Sequence, residues 1–80
     1  MKLPRDLSGE RLVRCLCKCW DYRQTNQVGS HVILETEIPS HQRLSVPAHK
    51  NLTVGTLGNI LGSVAAHKGV TREAILESLL

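Results

Sequence analysis

Four histidines and three cysteines are the side chains of this 80-residue chain best suited to proton transfer or nucleophilic chemistry near neutral pH. Imidazole can take or give a proton there, so the placing of each histidine matters. His31 follows "GS" and opens the apolar run "HVILET", where Val or Thr would form a strand more readily. His49 follows "VPA". His41 and His67 fall in segments expected as loops and read as surface residues. The cysteines crowd into "CLCKC". On a helix Cys15 and Cys19 share a face while Cys17 points elsewhere, so the three do not easily converge on a metal ion. They read as small, buried or half-buried apolar side chains, with no disulfide framework and no metal site.

The elements that must position these residues follow from periodicity. Ser8 is placed to cap a helix whose first turn carries Glu10. In it Leu12, Cys15, Leu16 and Cys19 form a single apolar stripe. From Trp20 the period changes to two. Trp20 and Tyr22 alternate with Asp21 and Arg23, Val32 and Leu34 with His31, Ile33 and Glu35, and Leu44 and Val46 with Arg43 and Ser45. "TNQVG" and "IPSHQ" carry turn chemistry between these runs. Pro47 ends the third strand, and Thr53 caps a helix with Leu57, Ile60, Leu61 and Val64 on one side. Gly69 stops it, and Thr71 caps a short last helix bearing Ala74, Ile75 and Leu79.

The expected fold is therefore α+β: a two-layer α-β-β-β-α sandwich with a three-stranded antiparallel sheet and a short extra C-terminal helix, one domain over 1–80. If the apolar face of the sheet takes the helices, Arg23, His31, Arg43 and Ser45 share the wet face.

Two surface patterns have both bland and functional readings. Arg11, Arg14 and Lys18 lie opposite the first helix's apolar stripe, as a solvated face or as a ridge that tracks phosphates. Gly55, Gly58 and Gly62 leave a smooth strip on the second long helix, by drift or as a partner contact.

Composition narrows the classes. A charged fraction of 21% and an apolar fraction of 41% suit an ordinary globular domain. Trp20 and Tyr22 are the only aromatics, which argues against a single-strand binder built on stacking platforms. A net charge of +3 is compatible with a polyanionic partner without demanding one. No apolar run approaches the ~20 residues that span a bilayer and no signal segment opens the chain, so a cytoplasmic location without membrane contact is expected.

"RQ…GSHVIL", "LSVPAHKNL" and "GTLGNIL", in that order, resemble the HicA family of toxins over about residues 7–75. The resemblance implies a fold like the double-stranded-RNA-binding domain. It also implies an mRNA interferase of a type II toxin–antitoxin pair, without a cofactor, with RNA and a HicB-type antitoxin as partners. The histidine of the Gly-Ser-His triplet, catalytic in that family, is His31 here, and His49 is the candidate second proton carrier. The chain departs from the family pattern in "TNQV", which lengthens the first hairpin, and in Val54 and Gly58, where basic residues are usual. Lys50, Arg43 or the first-helix ridge would compensate.

RNA carries its own nucleophile, the 2′-hydroxyl, so cleavage needs a base, an acid and positive charge at the phosphate. On this expectation His31 is the base or acid, and Arg23 and Arg43 stabilise charge. Two other classes remain: a non-catalytic double-stranded-RNA-binding module, and a protein-interaction domain that has lost its RNA chemistry.

Overall fold

The computed structural model describes residues 3–79. Its order is α1 (Gly9–Cys19), β1 (Arg23–Val28), β2 (His31–Thr36), β3 (Gln42–Pro47), α2 (Val54–Lys68) and α3 (Arg72–Ser78). The strands form an open antiparallel sheet in the order β1-β2-β3. All three helices start as their sequences imply. Ser8, Thr53 and Thr71 are extended, and their side-chain oxygens accept from the backbone N–H three residues on. Gly69 closes α2 in the left-handed conformation.

One sheet face is buried. Val32, Leu34, Leu44 and Val46 pack with Leu12 and Leu16 of α1, Leu57, Leu61 and Val64 of α2, and Ile75 of α3. Cys15 joins this core, but Cys19, expected in the same stripe, is exposed because α1 ends there. Among the described residues no helix covers the other face of the sheet.

The first strand differs most from expectation. Trp20 caps α1, Asp21 turns the chain with a φ of 62°, and Tyr22 drops into the core, so the alternation of Trp20 and Tyr22 is not a strand pattern. "TNQV" is strand, not turn: it lies within β1 and pairs with β2 through an irregularity between Gln24 and Asn26. The turn is Gly29-Ser30 alone, closing Val28 onto His31. Gly29 has a φ of +59°, which fits glycine at the first central position of a two-residue hairpin. "TNQV" therefore lengthens the strands of this hairpin and leaves its loop short.

Every residue of β1 is exposed, and this edge is blunted. The strand slips register at Thr25, and Asn26 Oδ1 accepts the Gln27 N–H at 2.8 Å. At the opposite edge Pro47 has no N–H to offer. Two side chains of α2 fasten the β2–β3 connection to the core. Lys68 Nζ donates to Thr36 Oγ1 at 3.0 Å and Ile38 O at 2.6 Å, and sits 4.8 Å from the Tyr22 ring centroid. His67, expected in a loop, lies in the last turn of α2, and its Nε2–H donates to Ser40 O at 2.8 Å. Burial pushes the Tyr22 hydroxyl up to about 12, and desolvation lowers the pKa of Lys68.

Candidate functional site

His31 is the first residue of β2, at one end of the open face. The Gly29-Ser30 turn sets it there, and its cross-strand neighbours are Val28 and Pro47. The Ala48 N–H donates to Ser30 O at 2.6 Å, just outside the His31–Pro47 pair. That pair is therefore of the non-hydrogen-bonded kind, in which facing side chains come closest. The missing N–H of Pro47 points away from β2, so proline costs the ladder nothing. "GSH" and "VPAH", distant in sequence, thus meet at one corner.

A third segment locks the corner. The Gly9 N–H donates to His49 O at 2.9 Å, and a Cβ on Gly9 would stand 1.8 Å from Pro47 O. Only glycine lets the start of α1 come this near. Gly9 carried no signal in the sequence, because its constraint comes from a segment far along the chain. His49 and Lys50 are exposed just beyond β3.

Around His31 the face is neutral. Ser45 Oγ lies 3.2 Å from His31 Nδ1. Among the described residues Nε2 has no hydrogen-bond partner. Ile33, the next residue of β2 on this face, is buried between its cross-strand partners Asn26 and Ser45.

Four residues from His31, roughly 13 Å by strand rise, the face becomes a charge network. Glu35 is flanked by Arg23 on β1 and Arg43 on β3. Its carboxylate accepts from Thr25 Oγ1 at 2.6 Å and meets His41 Nε2 at 2.7 Å. Arg23 also lies 3.6 Å from Glu37. The bonds from His41 and Thr25 hold the Glu35 carboxyl below its usual range. Arg23 and Arg43 are thus on the open face as expected, but they stand with Glu35 rather than His31. His41 is an exposed loop residue as expected, but its pairing with Glu35 had no signal in the sequence, since only the β2–β3 register reveals it.

The other expected site residues are scattered. Arg14 and Lys18 are exposed on α1. Arg11 instead reaches α3, where its Nη2 donates to Leu79 O at 2.8 Å, so the ridge is not three free cations. The glycine strip is partly occupied from within the chain. A Cβ on Gly62 would meet the Arg72 guanidinium at 2.7 Å, and one on Gly58 would meet Leu3 at 3.5 Å; Gly55 faces open space. The Cys15 thiol lies 3.1 Å from Ser78 Oγ, which also accepts from Trp20 Nε1 at 2.9 Å. Burial, opposed by the Ser78 contact, raises its pKa.

In comparisons with protein-family models, curated proteins and solved structures, the chain matched none. No helix among the described residues is long and apolar enough to cross a membrane.

Proposed function

We propose that this chain is a HicA-type ribonuclease with a fold like the double-stranded-RNA-binding domain, cleaving RNA by proton transfer at His31. The observation that carries this reading is the corner where "GSH" and "VPAH" converge: His31 beside Pro47, Ser30 bonded to Ala48, and His49 two residues on. The element order α-β-β-β-α, with an open sheet face, fits the same reading.

The chemistry needs no cofactor. His31 Nε2 takes the proton of a 2′-hydroxyl, the 2′-oxygen attacks phosphorus, and the bond to the 5′-oxygen breaks. A 2′,3′-cyclic phosphate remains, and the 5′-oxygen takes a proton from water or from His49. Arg23 and Arg43 stand with Glu35, four residues along the strand from His31, so Lys50, exposed just beyond β3, is the proposed charge at the phosphate. Arg14 and Lys18 offer further contacts to the RNA backbone. A HicB-type antitoxin in the cytoplasm would be the partner that covers the open face.

The test is a structured RNA incubated with the protein in excess EDTA, beside His31→Ala. Cleavage by the parent with a 10²–10⁴-fold loss in the variant is the expected result. Equal cleavage by both would remove His31 from the mechanism.

One observation favours a second reading, a non-catalytic RNA- or protein-binding module. Arg23 and Arg43 share their end of the open face with Glu35 and Glu37, so the face lacks the strong positive field of a nuclease cleft. Absence of cleavage in the same assay, with salt-dependent RNA binding, would establish an RNA-binding module. Weak, salt-independent affinity would establish the protein-binding one.

A further inference from the structure

Ser45 lies two residues before Pro47 on β3, so it shares the open face and stands diagonal to His31. Its Oγ is the hydrogen-bond partner of Nδ1. We propose that Ser45 is the positioning residue of His31: it holds Nδ1 and leaves Nε2 as the nitrogen that exchanges a proton with RNA. The inference deepens the ribonuclease reading and rests on it for its catalytic part.

The physical case begins with the two nitrogens, which are not equivalent. Which of them carries the proton is set by the bond the other makes. A base at Nε2 must have an unprotonated Nε2, hence a proton on Nδ1, and that proton needs an acceptor. Ser45 Oγ is in place to be one. An exposed imidazole at a strand end would otherwise turn between rotamers and present either nitrogen.

The neighbourhood explains why a hydroxyl suits this position. Val28 and Pro47 flank His31 directly, and neither can bond the ring. Asn26 and Ser45 flank Ile33, the next residue on this face. None of these residues is a carboxylate. A neutral acceptor fixes the ring without placing negative charge where the phosphate must come. A carboxylate does hold an imidazole on this face, but it is the distant Glu35 with His41.

The experiment uses parent, Ser45→Ala and Ser45→Thr in single-turnover RNA cleavage, with ring ¹⁵N spectra of His31 recorded for each. Losing one neutral hydrogen bond should cost roughly 3–10-fold in rate, with KM unchanged. Threonine, which keeps the hydroxyl, should restore the rate. The spectra should show a proton on Nδ1 in the parent and a mixture of tautomers in Ser45→Ala. Identical ring shifts in parent and Ser45→Ala would overturn the proposal whatever the rates. A KM change at constant rate would overturn the catalytic part by assigning Ser45 to RNA binding. Differing ring shifts with no cleavage by any of the three would refute the ribonuclease reading and leave the hold on Nδ1 supported.

Discussion

The open face of the sheet has two ends, and each has a histidine. At the Glu35 end His41, Thr25 and two arginines surround a carboxylate, so charges and donors answer one another. At the His31 end the ring's partner among the described residues is a neutral hydroxyl, and its neighbours are apolar or neutral. The difference teaches that a histidine's surroundings matter more than its exposure, since both rings are exposed. Each ring is bonded through one nitrogen: His41 is tied to a carboxylate, as in a structural ion pair, and His31 to a neutral hydroxyl, which suits the proposed proton transfer.

The strongest way to break this contrast is to remove each ring in turn. His31→Ala should lower cleavage by 10²–10⁴-fold, whereas His41→Ala should leave it within a few-fold, both read as initial rates in EDTA. Neither should change stability by more than about 0.5 kcal/mol, as exposed substitutions rarely do. Equal losses of rate would erase the distinction between the two ends.

The face turned toward the helices should behave in the opposite way. Leu34, fully buried on that side of β2, has no route to the open face except through the backbone. Leu34→Ala should destabilise by about 2–5 kcal/mol, measured as a lower urea midpoint. Cleavage at temperatures where the variant is still folded should be preserved.

Gly9→Ala ties stability to the site. Its methyl would press on Pro47 O, the partner strand's end beside His31. A cost of about 1–3 kcal/mol is expected for such overpacking. Because α1 must move off the corner, cleavage should fall as well. A variant that loses stability yet cleaves normally would show that the corner's placement is irrelevant to His31.

Much of this arrangement was legible in the sequence where the determinants are local. Caps at Ser8, Thr53 and Thr71 depend on the residue and its next three neighbours. The alternation of Val32, Leu34, Leu44 and Val46 with His31, Arg43 and Ser45 assigned both faces correctly. Legibility failed where distant segments decide. β1 has no apolar alternation and all its residues are exposed, and the nearby alternation of Trp20 and Tyr22 belongs to a helix cap and the core instead. Gly9 looked ordinary until Pro47 came against it, and Arg11 looked free until α3 docked. The Glu35–His41 pair likewise exists only through strand register.

The smallest expected effect concerns the closed end. The Glu35 carboxyl lies below its usual range because His41 and Thr25 bond its charged form. In the unfolded chain a glutamate titrates near ~4.3. Between that value and the lower folded one, the unfolded state binds more protons, so stability rises with pH across this window. The contribution is complete above the unfolded value and disappears as pH falls through the folded one. Glu35→Gln removes the titration, so its urea midpoint should decline less than the parent's on acidification below about pH 4.3. The difference should be modest, for these groups stand against solvent and salt screens them. Parallel curves for the two proteins would show that the network around Glu35 does not favour its charged form. The two ends of the open face would then differ in composition alone.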